Sequence, residues 1–282
     1  MLKQFKPYII VNFILAAAAL VAASFLDLNL DKFLNNPDHP FPLWFEATGE
    51  LLSRLICVFG GVIIFYFAKN KLLRIIGLIF EIGGSAYYGY YVSYYLFIDR
   101  YKTLFGILFG LVMGFFVLYI GKYIAIPENL HKTLVILSIA GIAIMFAEIS
   151  IIEVIKVTWG RVRFRDMLKA GSFDAFTAWY IPNGINGNKS FPSGHTASAA
   201  MSYLTLFFPY INSEKWLKKR WLCFLVPFIY TSTVAFTRLI AGAHFLSDVT
   251  VGGTIGFVTV IVGMAILDKK YLKIENTVSR TK

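Results

Sequence analysis

The sequence contains few charged residues for its length. Only 15% of its 282 residues are Asp, Glu, Lys or Arg, whereas 57% are hydrophobic and the mean hydropathy is +0.66. Because soluble domains have about 25% charged residues, this composition excludes an ordinary soluble domain. Internal repeats, low-complexity tracts and a separate soluble domain are absent as well. We therefore interpret residues 1–282 as a single integral membrane domain.

Cysteine is also scarce, and acidic residues are outnumbered by basic ones. Cys57 and Cys223 both lie within apolar runs, so the sequence excludes a disulfide-stabilised scaffold. The chain has 27 Lys and Arg against 16 Asp and Glu, a net charge of +11. These bases are spread over short loops rather than gathered on one polar face, so we expect no nucleic-acid partner. Membrane topology and contact with anionic lipids explain the charge better.

Long apolar runs are what the sequence has in abundance. We predict eight membrane-spanning helices, at residues 8–25, 51–68, 75–97, 104–120, 133–155, 196–211, 221–236 and 249–267. The predicted fold is therefore an all-α, multi-pass transmembrane bundle. The first run follows Lys3 and Lys6 and shares features with a signal peptide, but its apolar stretch is long for one.

The distribution of Lys and Arg indicates how the chain crosses the membrane. With the N-terminus inside, most basic residues outside the polar clusters described below fall on the cytoplasmic side. The predicted outer loop 27–50 instead contains acidic residues, among them Asp27 and Asp31. We therefore expect both termini to be cytoplasmic. The Lys-, Asn- and Ile-rich composition indicates a bacterial cell (inner) membrane.

Three polar clusters interrupt the apolar second half of the chain. They consist of Lys156 and Arg163; Pro192, Ser193, Gly194 and His195; and Arg238, His244 and Asp248. A phosphate monoester carries up to two negative charges, so its site requires several fixed cations and backbone donors. Imidazole can act as a nucleophile or a proton donor near neutral pH. The clusters together contain what phosphate-ester hydrolysis requires.

The spacing within the clusters predicts how the residues act. His244 and Asp248 are four residues apart, which on a helix places both on one face, where the carboxylate accepts one ring N–H. Ser193 and Gly194 precede a long apolar run, so we expect their backbone N–H groups at a helix N-terminus, where anions bind. All three clusters fall on the same, extracytoplasmic side of the predicted topology. We therefore expect one shared site.

In these clusters the sequence resembles the type 2 phosphatidic acid phosphatase superfamily, whose signature is three separated blocks in this order. The first block is Lys, six residues, Arg and Pro, and residues 156–164 match it except that Phe164 replaces Pro. The second, Pro-Ser-Gly-His, is intact at residues 192–195. The third is Ser-Arg, five residues, His, three residues and Asp, and residues 237–248 match it with Thr237 in place of Ser.

The resemblance implies a phosphohistidine mechanism. His244 would be the nucleophile, Asp248 would orient it, and His195 would protonate the leaving oxygen and then activate water. The phosphoryl oxygens would be held by Lys156, Arg163, Arg238, Ser193 and Gly194. The family uses no metal or other cofactor, and the sequence has no cluster at metal-ligand spacing beyond His244 and Asp248. The family's core has six helices, so we interpret residues 75–120 as an extra helix pair.

These observations predict an integral membrane lipid phosphatase with an extracytoplasmic active site. Candidate substrates are phosphatidic acid, phosphatidylglycerol phosphate, undecaprenyl pyrophosphate and a lipid A phosphate, of which we favour the polyprenyl pyrophosphate. One alternative is a phosphotransferase that passes the phosphoryl group to a lipid or sugar. Another is a non-enzymatic lipid-phosphate binder or transporter. A vanadate-dependent haloperoxidase, which uses a similar anion pocket, is the least favoured.

Other polar residues receive structural interpretations. Arg161 and Arg165 lie on either side of Arg163, and we expect them to be solvated rather than to contact lipid headgroups. We expect Glu153 to position Lys156 one turn away.

Two further features lie outside the blocks. The aromatic-rich segment 156–191 is expected at the membrane surface, as a lid or as an amphipathic connector. The tyrosines of 87–95 are expected to form an interfacial belt, with stacking on the substrate as the alternative. Glu81 and Glu148 are expected to form interhelical hydrogen bonds within the bundle.

Overall fold

The computed structural model describes residues 1–96 and 102–270, and these residues form helices and loops without any β-strand. Twelve α-helices and one 3₁₀ helix follow one another in these described parts of the chain. They are α1 Leu2–Leu34, α2 Pro40–Thr48, α3 Leu51–Phe67, α4 Lys71–Leu96, α5 Lys102–Gly121, α6 Glu128–Trp159, α7 Phe164–Ala170, α8 Gly194–Ala200, the 3₁₀ helix Met201–Phe207, α9 Phe208–Ile211, α10 Ser213–Lys218, α11 Arg220–Ile240 and α12 Leu246–Lys270.

Within residues 1–96 and 102–270, six stretches of helix are long and apolar enough to cross a membrane, which confirms the predicted all-α membrane bundle. They coincide with six of the eight predicted spans. The stretches are Leu2–Leu34, Pro40–Phe67, Thr103–Gly121, Glu128–Ala170, Arg220–Ile240 and Leu246–Lys269. The predicted cytoplasmic C-terminus and the end of the span 75–97 lie outside the described residues.

The two remaining predicted spans take different forms. The span predicted at 75–97 corresponds to α4, which is 26 residues long but less apolar, because it contains Arg74, Glu81 and several tyrosines. The span predicted at 196–211 is divided into α8, the 3₁₀ helix and α9. Many of its side chains are buried, so this segment lies inside the bundle rather than facing lipid.

The extra helix pair predicted at 75–120 corresponds to α4 and α5, which pack closely on each other and on α3. The close approach depends on glycine. A Cβ atom on Gly89 of α4 would lie 2.0 Å from the carbonyl oxygen of Gly106 in α5, so no larger residue fits there. Glu81 accepts a hydrogen bond from Ser85 at 3.0 Å within α4, and among the described residues it forms no interhelical hydrogen bond.

The outer loop predicted at 27–50 is largely helical. The first helix α1 continues to Leu34, so Asp27 and Asp31 belong to it and are buried at 2% and 0% exposure. The short helix α2 follows and leads into α3.

The segment 156–191 packs onto the body of the protein through its tryptophans. Trp159 donates from its indole N–H to the carbonyl of Trp179 at 3.0 Å, and Trp179 donates to the hydroxyl of Ser24 in α1 at 3.1 Å.

Packing between α8 and α12 brings the second and third blocks together. A Cβ on Gly252 of α12 would lie 2.3 Å from the carbonyl oxygen of Ser193, so glycine is needed for this contact. The backbone N–H of Ser193 donates to the carbonyl of Asp248 at 2.9 Å. Below this contact, an aromatic core including Tyr203, Phe224 and Phe257 supports the site.

Candidate active site

His244 lies in a turn between α11 and α12, with its Nδ1 atom 2.6 Å from the backbone carbonyl oxygen of Ser190. A carbonyl oxygen can only accept a hydrogen bond, so Nδ1 must carry the hydrogen. In the neutral ring the lone pair is then on Nε2. This tautomer is the one that a nucleophilic histidine requires.

Asp248 lies in the first turn of α12 and supports this arrangement mainly through Ser190. One of its oxygens, Oδ2, accepts the hydroxyl of Ser190 at 2.6 Å and the backbone N–H of Phe245 at 3.0 Å. The same oxygen is 3.7 Å from Nδ1 of His244, which is beyond hydrogen-bond distance.

The prediction that His244 and Asp248 share one face of a helix was therefore wrong. Residues 241–245 form a turn, in which Gly242 has a φ of 58°, and α12 begins only at Leu246. A spacing of four residues does not correspond to one helical turn there. Both side chains nevertheless converge on Ser190, which none of the three blocks includes.

Arg161 was expected to be solvated, and the structure corrects this. Its side chain is 1% exposed and bridges two carboxylates: Nη1 lies 2.5 Å from Asp248 and Nη2 lies 3.0 Å from Asp27. The guanidinium also lies 4.2 Å from the ring centre of Phe245 and donates to Ser247 at 2.8 Å. Buried carboxylates require a paired cation, and Arg161 supplies it.

Lys156, in the last turn of α6, lies next to Gly194. A Cβ on Gly194 would lie 2.7 Å from Nζ of Lys156, so the absence of a side chain leaves room for the ammonium group. Nζ of Lys156 is 3.3 Å from Glu153, the contact that their spacing predicts. The first and second blocks therefore meet at this point.

Ser193 is the N-cap of α8, but its polar groups are used within the protein. Its hydroxyl accepts from the backbone N–H of Thr196, and its own N–H donates to the carbonyl of Asp248. The prediction that the N–H of Ser193 holds phosphate is therefore not supported, because that N–H joins the second block to the third. Gly194, the first residue of α8, keeps the position expected for it.

Two arginines complete the set of predicted phosphate ligands. Arg163 is the N-cap of α7, and its Nε atom is buried without a hydrogen-bond partner among the described residues. Arg238, near the end of α11, is 1% exposed and donates from Nη2 to the carbonyl of Pro42 at 2.7 Å. The carbonyl of Arg238 accepts the backbone N–H groups of Ala243 and His244 at 3.0 and 3.4 Å, so Arg238 also fixes the turn that bears His244.

His195, the second residue of α8, contacts the segment that joins α2 to α3. Its Nδ1 lies 3.2 Å from the carboxylate of Glu50, and its Nε2 lies 3.2 Å from the backbone carbonyl oxygen of Glu46. Both neighbours are hydrogen-bond acceptors. The ring is therefore held at both nitrogens by residues from outside the three blocks.

The short helix α2 covers the basic side of the site. The Glu46 carboxylate lies 3.5 Å from Arg165 and 4.0 Å from Arg238. It therefore pairs with two arginines that could otherwise bind the phosphate of a substrate. Arg165 is thus paired with a carboxylate rather than fully solvated. The carbonyls of Pro42 and Glu46 add two further acceptors to this cover.

Burial and neighbouring cations keep His244 neutral. Desolvation of the ring is the main cause that lowers the pKa of His244 to about 4. Asp248 opposes this change, whereas Arg163 and Lys156 add to it. At neutral pH the Nε2 atom of His244 therefore keeps its lone pair.

The two departures from the family's blocks are both accommodated. Phe164 is the first residue of α7, a position in which proline is favoured, and its ring is buried against Phe173 and Phe245. Thr237 is buried in α11, and its hydroxyl donates to the carbonyl of Val234 at 2.7 Å.

The structure thus brings all three blocks to one site, where they meet residues that the sequence did not indicate. Those residues are Asp27, Glu46, Glu50, Arg161 and Ser190. Arg161 and Asp27 are separated by 134 positions, and their pairing leaves no local sequence pattern. One sequence signal could have indicated the role of Asp27. Two acidic residues, Asp27 and Asp31, occur in a largely apolar helix, where each requires a partner.

Comparison with known proteins supports the resemblance seen in the blocks. A family model described as the PAP2 superfamily matches residues 133–272, a stretch that contains all three blocks. No curated protein and no solved structure gave a match to the chain. Helices α1 to α5 and the segments between them, including Glu46 and Glu50, precede the matched stretch.

Proposed function

Because this chain belongs to the PAP2 superfamily, whose members are phosphatases, we propose that it is an integral membrane lipid phosphatase acting through a phosphohistidine. The substrate is a phosphate monoester or pyrophosphate of a lipid. The active site faces the extracytoplasmic side, and both termini are cytoplasmic.

One observation carries the proposal. The Nδ1–H of His244 is held by the carbonyl of Ser190 at 2.6 Å, and this leaves Nε2 as the basic atom of a buried, neutral ring. A binder or transporter of lipid phosphate would need cations but not a histidine fixed in this tautomer. The arrangement therefore favours nucleophilic catalysis over binding alone.

In the first half of the reaction, Nε2 of His244 attacks phosphorus and the bond from phosphorus to the leaving oxygen breaks. His195 donates a proton to that oxygen, so the lipid leaves as an alcohol or, from a pyrophosphate, as the lipid monophosphate. The negative charge of Asp248, held by Arg161 and Ser190, stabilises the cationic phosphohistidine.

In the second half, a water molecule attacks the phosphohistidine. His195, now neutral, accepts a proton from that water as the phosphorus–nitrogen bond breaks. Inorganic phosphate leaves, and His195 is protonated again for the next cycle. Lys156, Arg163 and Arg238, with the Gly194 N–H, hold the phosphoryl oxygens through both steps.

An apolar cavity beside the site supports a lipid substrate. It has a volume of ≈ 620 Å³ and lies between α3, α4 and α6. Its lining is mostly apolar, with Phe80, Phe146 and Ile149, and it includes the charged side chains Arg54 and Glu153. Glu153 contacts Lys156, so the cavity runs close to the predicted phosphate ligands. An acyl or prenyl chain could extend into it while its phosphate reaches Lys156.

Phosphate release from a panel of lipids tests the proposal. The purified protein in detergent is given phosphatidic acid, phosphatidylglycerol phosphate, undecaprenyl pyrophosphate and a lipid A phosphate. We expect release from at least one of them, abolished by His244→Ala. The matched control is His131→Ala, because His131 packs on Phe67 near the start of α6, at the opposite end of that helix from Lys156.

The same preparation distinguishes the alternative mechanisms. Vanadate should inhibit, and EDTA should leave the activity unchanged; inactivation by EDTA would contradict a metal-free reaction. Acid-labile phosphate bound to the wild type and missing from His244→Ala would identify the intermediate. Transfer to an added alcohol in preference to water would indicate a phosphotransferase.

A further inference from the structure

Glu50 connects the ring of His195 to an arginine on α3. Its Oε1 atom lies 3.2 Å from Nδ1 of His195, and its Oε2 atom lies 2.5 Å from Nη2 of Arg54. The Glu50 and Arg54 side chains are only 12% and 15% exposed, so both charges are largely removed from water. Contacts of this kind between partly buried charges are directional and strong.

We propose that Glu50 is a positioning residue for proton transfer by His195, and that Arg54 holds it in place. The inference rests on the proposed phosphatase activity. It adds a residue from outside the three blocks and outside the matched stretch 133–272 to the catalytic machinery.

The chemistry of His195 explains why such a residue is needed. His195 must give a proton from Nε2 in the first half of the reaction and recover one at Nε2 in the second half. If the hydrogen on Nδ1 is held by the Glu50 carboxylate, only Nε2 exchanges protons, and the leaving oxygen or water then replaces the Glu46 carbonyl that lies 3.2 Å from Nε2. Glu50 also stabilises the doubly protonated ring that each cycle regenerates, and it takes no proton itself.

Arg54 keeps Glu50 in its role. Among the described residues the ion-pair partners of Glu50 are His195 and Arg54, so loss of Arg54 would leave the carboxylate held by His195 alone. The Arg54 guanidinium lies 5.2 Å from the ring centre of Tyr87 and 5.9 Å from that of Tyr91, both on α4. Stacking on α4 therefore fixes Arg54, and through it Glu50.

A purely structural role for Glu50 is the alternative. Glu50 precedes α3, and its backbone carbonyl accepts the hydroxyl of Ser53 at 2.8 Å. The side chain of Glu50 makes no cap to α3, so its replacement would lower stability only through the lost ion pairs, and that loss would affect all substrates equally. Sensitivity to the leaving group distinguishes the two roles.

The test compares two leaving groups in the Glu50→Gln variant. Nitrophenolate leaves with little protonation, whereas the alkoxide of an alkyl phosphate needs a proton from His195. The rate of the first turnover, measured by rapid quench, should fall about 10- to 100-fold for the alkyl phosphate. For p-nitrophenyl phosphate it should change by less than about threefold. Equal loss on both substrates, or no loss on either, would overturn the inference.

A double-mutant cycle adds a second readout. If Glu50 acts through His195, Glu50→Gln should lower the p-nitrophenyl phosphate steady-state rate in the wild type but not further in a His195→Asn background. The same fractional loss in both backgrounds would show that Glu50 acts independently of His195.

Controls separate this inference from the function on which it rests. Glu214→Gln, at a residue 86% exposed on α10, should leave both rates unchanged, and thermal unfolding should show that Glu50→Gln is folded. If the wild type hydrolyses neither substrate, or His244→Ala remains active, the proposed function fails. If His244→Ala is inactive but Glu50→Gln shows no leaving-group selectivity, only the role of Glu50 fails.

Discussion

The Nδ1 atom of His244 lies 2.6 Å from the carbonyl oxygen of Ser190, closer than it lies to any atom of Asp248. The main chain therefore fixes the tautomer of His244, whereas Asp248 supplies negative charge and holds the hydroxyl of Ser190. These two tasks can be separated by mutation, because one belongs to a backbone atom and the other to a side chain.

Ser190→Ala should reduce activity much less than Asp248→Asn. The alanine variant keeps the carbonyl that accepts Nδ1–H, so we expect kcat to fall by less than about tenfold. The asparagine variant removes the negative charge of Asp248, which stabilises a cationic His244 and pairs with Arg161. We expect its kcat to fall about 10³-fold or more. Steady-state kinetics on the preferred lipid measures both. Equal losses would show that the Ser190 side chain, rather than its carbonyl, positions His244.

The pKa of His244 predicts the acid limb of the pH profile. Its pKa is lowered to about 4, mainly by burial. Protonation of Nε2 removes the lone pair that attacks phosphorus. The rate should therefore be unaffected by this protonation well above pH 4 and should fall as the pH drops through the pKa of His244. We expect kcat/KM, corrected for ionisation of the substrate, to keep its plateau down to about pH 5. An acid limb near the usual histidine pKa would contradict the proposed environment.

The three blocks predicted which cations and histidines meet. Charged residues are rare in an apolar chain and costly to bury, so a set of them at defined spacings indicates a shared site. Lys156 lies at Gly194, and the adjacent Ser193 is hydrogen-bonded to Asp248, as that argument and the resemblance to the family's blocks predict. The contacts of the main chain were not predictable in this way. Any residue can offer a carbonyl, so nothing in the sequence marks Ser190 or Glu46 as a partner of a histidine.

Long-range ion pairs were the other feature that the sequence did not reveal. The sequence predicts a solvated Arg161, because no local pattern pairs this residue with Asp27. Its partner Asp27 was assigned to a loop, since the apolar run of α1 weakens near that residue. The helix continues because burial against Arg161 and Ser247 compensates the carboxylate there.

Arg161→Ala should destabilise the protein strongly. The change leaves Asp27 and Asp248 buried without their shared cation, a situation that costs about 3 to 5 kcal/mol in comparable buried pairs. Thermal unfolding in detergent should show a large fall in melting temperature. Adding Asp27→Asn should restore part of the loss, because one uncompensated charge is removed.

Lys218→Ala serves as the control for Arg161. Lys218 pairs with Glu214 on α10, but the two side chains are 74% and 86% exposed, so the melting temperature should hardly change. A small effect of Arg161→Ala, similar to that of Lys218→Ala, would show that water or another group compensates the buried carboxylates.

Glu46→Gln should strengthen the binding of anions, the reverse of most changes near an active site. The Glu46 carboxylate lies 3.5 Å from Arg165 and 4.0 Å from Arg238. A bound phosphate would need the positive charge of Arg238. Glutamine keeps the backbone carbonyl at His195 and removes only the competing charge. Partly exposed ion pairs are worth up to about 1 kcal/mol, so vanadate and inorganic phosphate should inhibit about three- to fivefold more tightly. Glu128→Gln, at the start of α6, is the matched control. Weaker inhibition in Glu46→Gln would instead mean that Glu46 holds the arginines in the geometry that phosphate requires, and that α2 supports the site rather than competing for it.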